Sequence, residues 1–315
     1  MAAPSIARPR VLPRFSGLAW RRARWGYVFI APWLIGFVLF TALPMIATFA
    51  FTFTNINLAQ AEPLKFVGLK NYETLLNDKQ AWASLGITFK YMLLALPVAV
   101  ILPFLVALLL HSRHLVASGV FRVLLFLPYV VPFIATVFIW QGMLNPETGW
   151  VNGLLKALGV NSPPGWLEDP GWVYPGLAMI GLWGIGAGMI VYLAGLKGVP
   201  TDLYEAAKID GAGPWASLRH ITIPMITPVI FYTVVLSVVE VLQYFLVPLV
   251  LQNGTGEPGG STMFYNLYIY KNFFTFQNMS YGATLAWVLF LISLAITLIL
   301  FGTARRWVYY AGEAR

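Results

Sequence analysis

The sequence predicts an all-α integral membrane protein with six kinked transmembrane helices. Of its 315 residues, 59% are hydrophobic and only 10% are charged, whereas a typical soluble domain carries about 25% charged residues. So few charges cannot cover the surface of a water-soluble globule of this size. The composition therefore excludes an ordinary soluble enzyme, a nucleic-acid-binding protein and a disordered chain.

Long uncharged stretches place the six helices along the chain. A helix needs about 20 mostly apolar residues to cross a bilayer, and the longest stretch without Asp, Glu, Lys or Arg has 37 residues, between Arg24 and Glu62. Several stretches contain prolines, which predict kinks. The predicted spans are about 27–52, 88–110, 123–144, 173–195, 225–250 and 281–303.

The distribution of basic residues predicts the orientation of these spans. If both termini lie in the cytoplasm, the inner segments hold 14 of the 20 Lys and Arg residues. Basic residues collect on the cytoplasmic side of membrane proteins, so this orientation is favoured. The net charge of +8 then reflects topology, and nucleic-acid binding is not predicted.

The segment 199–228 is the most informative cytoplasmic stretch. It predicts a short helix, a turn at Gly211 and a second helix before span five. Ala206 and Ala207 leave a smooth face that another protein can approach closely, and Glu205 offers a charge to that partner. Spacing alone is equally compatible with an ordinary amphipathic surface loop.

The residues of this segment carry a family resemblance. Glu205-Ala206-Ala207, Gly211 and the string from Ile221 to Pro224 resemble the EAA motif, E-A-A-x3-G-x9-I-x-L-P, with Ile223 in the leucine position. This motif belongs to permease subunits of binding-protein-dependent ABC importers. The resemblance implies a coupling helix that sits in a cleft of an ATP-binding subunit. The implied residues of this ATPase-coupling loop are Glu205, Ala206, Ala207, Gly211, Ile221 and Pro224.

No catalytic machinery is predicted in this chain. It contains no G-x4-G-K-S/T phosphate loop, so it lacks the usual means of gripping ATP phosphates. We expect ATP and Mg²⁺ to bind in separate ATPase subunits, with no cofactor in this chain. His111, His114 and His220 form no cluster with the ligand number of a metal site, so no metal is predicted.

Further strings resemble the carbohydrate-uptake branch of the same family, of the maltose and glycerol-phosphate transporter type. They include FVGLKNYETLLND at Phe66–Asp78, FRVLLFLPYVVP at Phe121–Pro132 and YGATLAW at Tyr281–Trp287. The resemblance implies the type I ABC importer permease fold in a prokaryotic cell membrane. It also implies three kinds of partner: a second homologous permease, two ATP-binding subunits and an extracytoplasmic solute-binding protein. Apart from Lys90 at the outer edge of the second span, the predicted spans hold no Lys or Arg, which favours a small neutral sugar as substrate.

The predicted domain organisation follows from the spans and the resemblance. Residues 1–26 are a basic cytoplasmic tail, and 27–84 hold the first transmembrane helix and its outer loop. Residues 85–304 form the permease core, with five helices and the coupling loop at 199–224. Residues 305–315 are a second cytoplasmic tail.

Glu240 is the main candidate for the substrate pathway. It lies about 15 residues into span five, where an unpaired charge is costly, so we expect it to face a cavity or a polar partner. Gln243 and Tyr244 share its helix face at i+3 and i+4 and complete the candidate set. The alternative is a paired, purely structural acid between helices.

Other functions stay open at this point. An importer of glycerol phosphate or another polyol would want Lys or Arg in the cavity, and none is predicted there. A proton-coupled secondary transporter could use Glu240 as its relay. A membrane-embedded enzyme would need a cluster of His, Asp and Glu within the spans, where only Glu240 is found.

Overall fold

The computed structural model describes residues 17–59, 63–112 and 115–309. In these ranges the chain is helical, and its only β-contact is a single bridge between Thr54 and Phe66. The predicted all-α class is therefore confirmed. Most of the predicted tails, and His114, lie outside the described residues.

The described residues 17–51 belong to the first of two compact units. Helix α1 (Gly17–Phe37) continues through a π-helical turn (Val38–Ala42) into α2 (Leu43–Phe51). The wider turn precedes Pro44, whose ring would collide with the carbonyl four residues back in a regular α-helix. The helix begins ten residues before the predicted start of span one, because the basic stretch around Arg21 is helical too.

The second unit begins at Thr52 and contains the other helices. In chain order the helices are α3 (Lys70–Asn77), α4 (Lys79–His111), α5 (Ser118–Phe126), α6 (Phe133–Met143), α7 (Trp150–Ala157), α8 (Val173–Gly181), α9 (Ile185–Lys197), α10 (Thr201–Ile209), α11 (Pro214–Ser217), α12 (Ile223–Leu242), α13 (Leu246–Leu251), α14 (Tyr265–Tyr270) and α15 (Met279–Trp307).

Within the described ranges, five helical runs are long and apolar enough to cross a membrane, and α5 with α6 makes a sixth if the pair counts as one span. This pair is bent by 101°, far more sharply than the kink expected in span 123–144. The break falls where Val131 is extended (ψ 133°) before Pro132. A residue before proline is disfavoured in the helical region, which explains the position of the break.

Helices α4, α9 and α12 pack against one another and form the centre of the second unit. Met189 and Tyr192 on α9 are fully buried there. Gly186, at the start of α9, approaches the end of α5 so closely that a Cβ atom on it would lie 2.3 Å from the carbonyl oxygen of Leu125. Small residues permit such close helix contacts in membranes.

Candidate functional site

A cavity of about 570 Å³ lies between α4, α8, α9 and α12. This volume is in the range of small-molecule sites, about 300–1,000 Å³. Most of its wall is apolar, and its polar groups come from Tyr91, Tyr129, Tyr232, Thr233, Ser237, Glu240 and Tyr244. Among the described residues, Glu240 is the only charged side chain that lines the cavity.

The end of α12 positions Glu240. The helix stops at Leu242, Gln243 (φ −94°, ψ 12°) leaves the helical path, and α13 begins at Leu246. The side-chain amide of Asn266 donates a hydrogen bond of 2.7 Å to the Gln243 carbonyl. The break in span five thus begins three residues after Glu240, and the Asn266 side chain satisfies the carbonyl of Gln243 at the break.

The three predicted substrate-pathway residues are only partly brought together. Glu240 and Tyr244 line the cavity, whereas Gln243 does not, although Glu240 and Gln243 are both exposed side chains. The prediction assumed an uninterrupted helix, in which i+3 and i+4 share a face. Because α12 ends at Leu242, that periodicity no longer orients Gln243.

An aromatic cluster forms one end of the cavity. The ring centroids of Tyr91 and Tyr244 are 5.0 Å apart, and Phe264 lies 5.3 Å from Tyr91 and 5.2 Å from Tyr244. Phe264 is fully buried, and its ring packs edge-on against both tyrosine rings. Sequence reasoning did not single out Tyr91 or Phe264, because only the fold brings α4, α12 and the segment before α14 together.

The predicted coupling loop has a defined local structure. Glu205 and Ala206 are exposed on α10, and Ala207 is half-buried. Gly211 has φ +78°, a conformation that favours glycine. The amides of Gly211 and Ala212 donate to the carbonyls of Lys208 and Ala207 (3.1 and 2.8 Å). This pair of bonds is a Schellman motif, so the glycine ends α10 and reverses the chain.

The end of the motif lies in the entry to span five. Ile221 is half-buried in a π-helical turn (Leu218–Thr222), and Pro224 is the second residue of α12. Around the loop, Ile209 and Trp215 are 88% and 71% exposed.

Asp78 is the N-cap residue of α4, and its carboxylate accepts hydrogen bonds from three parts of the chain. It caps that helix by accepting from the amides of Gln80 and Ala81 (2.9 and 3.1 Å), and it also accepts from the hydroxyls of Tyr268 (2.8 Å) and Tyr281. Burial opposes ionisation, but these hydrogen bonds outweigh it and lower the pKa of Asp78 below its ordinary value. Burial and the bond to Asp78 raise the pKa of Tyr268 to about 12.

Asp78, Tyr268 and Tyr281 form a cluster that joins α4, α14 and α15. The sequence analysis did not predict this cluster. The available signal was an Asp directly before a long apolar helix, which is a preferred N-cap. In the part of the chain that the structure describes, no three His, Cys, Asp or Glu side chains lie close enough to hold a metal ion.

Comparison with known proteins identifies close relatives. Residues 81–311 match the family described as "Binding-protein-dependent transport system inner membrane component". The chain is 34% identical to the lactose transport system permease protein LacF of Rhizobium radiobacter, over 89% of this chain and 94% of LacF. It is 32% identical to the trehalose/maltose transport system permease protein MalF of Thermococcus litoralis, over 90% of this chain and 95% of MalF.

A solved structure shares the fold. It is a chain of a bacterial ABC transporter involved in the import of the acidic polysaccharide alginate, with a TM-score of 0.78 and 24% identity. The superposition covers 91% of this chain and 96% of that chain.

Proposed function

Because this chain belongs to the family of binding-protein-dependent transport system inner membrane components, which its match over residues 81–311 establishes, we propose that it forms half of the translocation path of an ATP-driven sugar importer. The family consists of transport permeases, and the importer-permease fold expected from the sequence is confirmed. The chain is a multi-pass membrane protein.

The observation that carries the sugar proposal is the shared position of Glu240 and Tyr244 on the cavity wall. An aromatic ring offers an apolar face to the C–H groups of a sugar, and a carboxylate accepts hydrogen bonds from its hydroxyls. The relatives LacF and MalF are named for the transport of lactose and of trehalose and maltose. Both the wall chemistry and the relatives support a neutral sugar.

The described wall favours this substrate over a phosphorylated polyol. It presents one acid and no base, since Lys90 on α4 does not line the cavity, and a phosphate group would be repelled by Glu240. Membership in a binding-protein-dependent family gives no support to the alternative in which Glu240 relays protons in a secondary transporter.

The coupling proposal concerns the cytoplasmic loop. The exposed face of α10, with Glu205 and Ala206, and the exposed Ile209 and Trp215 would dock on an ATP-binding subunit. Two such subunits would hold ATP and Mg²⁺, and closure of their dimer would draw the loops together. A second permease would complete the path, and an extracytoplasmic solute-binding protein would deliver the sugar.

Uptake by the reconstituted complex tests this function. The chain is assembled in proteoliposomes with its partner permease, ATPase subunits and solute-binding protein, and lactose, maltose, trehalose and glycerol phosphate are offered at equal concentrations. We expect uptake of a neutral sugar that requires ATP. Uptake driven by a proton gradient without ATP, or selective uptake of glycerol phosphate, would overturn the proposal.

A further inference from the structure

Two tyrosine–threonine hydrogen bonds connect α9 and α10 to the helical run that contains α12. The hydroxyl of Tyr204 on α10 lies 2.9 Å from Oγ1 of Thr222, in the π-helical turn before α12. The hydroxyl of Tyr192 on α9 lies 2.7 Å from Oγ1 of Thr233, in the middle of α12. We call these two contacts the inner rung (Tyr204–Thr222) and the membrane rung (Tyr192–Thr233).

The other bonds of the threonines show which group donates in each rung. Thr222 Oγ1 donates to the Ser217 carbonyl (3.4 Å), and Thr233 Oγ1 donates to the Ile230 carbonyl (2.9 Å). A threonine hydroxyl has a single hydrogen, so each tyrosine is the donor of its rung. Each rung therefore runs from a tyrosine through a threonine to a backbone carbonyl next to or within α12.

The membrane rung is buried, and the inner rung is partly buried because the Tyr204 side chain is half-buried. Thr222 and Thr233 are 6% and 9% exposed, and Tyr192 is fully buried. Hydrogen bonds are stronger where the local dielectric is low, and breaking one there leaves polar groups unsatisfied. The rungs are therefore expected to persist while the helices move.

The inner rung attaches to a defined joint. In the π-helical turn, the amide of Ile223 donates to the Leu218 carbonyl five residues back, directly before Pro224. A proline ring collides with the carbonyl four residues earlier in an α-helix, and the wider turn relieves this collision. The π-helical turn is therefore hydrogen-bonded and continuous with α12, so a movement of the turn would also move the start of α12.

We propose that Tyr204 and Tyr192 are positioning residues: Tyr204 makes α10 move with the start of α12, and Tyr192 makes α9 move with the middle of α12. When a partner displaces α10, the inner rung would carry the displacement into the start of α12. The membrane rung lies 11 residues further on, about 17 Å at helical rise, and Thr233 there lines the cavity. The inference rests on the proposed coupling function, and it adds the internal connection between the docking helix and the cavity wall.

Distance measurements test the connection between α10 and α12 directly. The chain has no cysteine, so spin labels can be placed at Lys208→Cys on α10 and Tyr232→Cys on α12, both exposed positions, in the full chain in nanodiscs. We expect one narrow distance population in this parent and a second population in Tyr204→Phe and in Thr222→Val. A single, unchanged population in both variants would overturn the proposal.

Transport measurements add a functional readout in the reconstituted complex. We expect Tyr204→Phe to lower the amount of sugar transported per ATP hydrolysed by about fivefold, in the range of ordinary coupling energies. The double variant Tyr204→Phe/Thr222→Val should lose no more than either single variant, because both remove the same contact. Strictly additive losses would contradict the rung.

A matched control and a reference variant separate this inference from the proposed function. Tyr309→Phe removes a hydroxyl from a half-exposed side chain whose residue bonds Thr227 through its backbone amide (2.8 Å), and it should leave transport per ATP unchanged. Glu205→Lys should abolish substrate-stimulated ATP hydrolysis. If Glu205→Lys acts and Tyr204→Phe does not, only the rung inference fails. If Glu205→Lys has no effect, the coupling proposal itself fails.

Discussion

Glu240 stands alone as a charged group on the described wall of the cavity, so a single substitution isolates its contribution. A hydrogen bond to a charged group contributes about 1.5–3 kcal/mol. We expect Glu240→Gln to weaken the apparent sugar affinity about 10- to 100-fold, measured as the KM of ATP-driven uptake. Glu147→Gln, an exposed acid on the loop after α6, is the matched control, and an unchanged KM in Glu240→Gln would remove Glu240 from the substrate site.

Asp78 makes a second residue-scale prediction, for stability. Asp78→Ala removes the cap of α4 and the acceptor of two tyrosine hydroxyls, so it should lower the free energy of unfolding by about 1–3 kcal/mol. The folded-state pKa of Asp78 lies below its ordinary value of 3.8. Its stabilisation is therefore complete above pH 3.8 and is lost as the pH falls through the folded-state pKa.

Thermal unfolding in detergent measures this effect. The difference between Asp78→Ala and the parent should stay constant across the neutral range, because Asp78 is fully ionised there. Asp210→Ala removes an exposed carboxylate and should leave the unfolding midpoint unchanged. Equal midpoints for Asp78→Ala and the parent would show that the cluster adds no stability.

Residues that depend on long-range contacts were beyond prediction from the sequence. Glu240 could be found because a charge in an apolar span is costly wherever it lies. Tyr91 and Phe264 carry no such mark, since an aromatic residue in a membrane segment is ordinary until the fold brings three segments together. Gln243 was assigned to the cavity by helical periodicity, which stops applying at Leu242.

At the scale of elements, the turn after α10 allows a sharp test of the coupling loop. A proline at position 211 cannot adopt φ +78°, and it lacks the amide that donates to the Lys208 carbonyl. Gly211→Pro should therefore disrupt the turn that ends α10 and change the path of the chain after it. We expect loss of substrate-stimulated ATP hydrolysis in the reconstituted complex. Gly213→Ala is the control, because Gly213 has φ −74° and open space at its Cβ position. Full stimulation in Gly211→Pro would contradict a coupling role for this turn.

Elements were predictable where local rules decide them. The sequence of segment 199–228 predicted two short helices around a turn at Gly211, and α10 and α11 confirm that order. The shape of the third span was harder to predict, because Pro128 and Pro132 indicate that the helix bends but not by what angle. Its 101° bend depends on Val131 being extended, which packing around the break must stabilise.

At the scale of the whole molecule, orientation and partner contact can be measured together. The chain lacks cysteine, so single cysteines report accessibility without background. Ile209→Cys, at an exposed position beside the coupling turn, should react with a membrane-impermeant maleimide in inside-out vesicles but not in right-side-out vesicles. Gln277→Cys, in the predicted outer loop before α15, should show the opposite pattern, since the basic residues place the termini in the cytoplasm.

Addition of the ATPase subunits then tests the docking surface in the same vesicles. If α10 docks on an ATP-binding subunit, the assembled complex should protect Ile209→Cys, because an 88% exposed side chain becomes buried in the contact. The labelling rate of Gln277→Cys should not change, since that site lies across the membrane from the ATPase. Labelling of Ile209→Cys from the outside would reverse the proposed topology. Correct sidedness without protection would retain the topology and reject α10 as the docking helix.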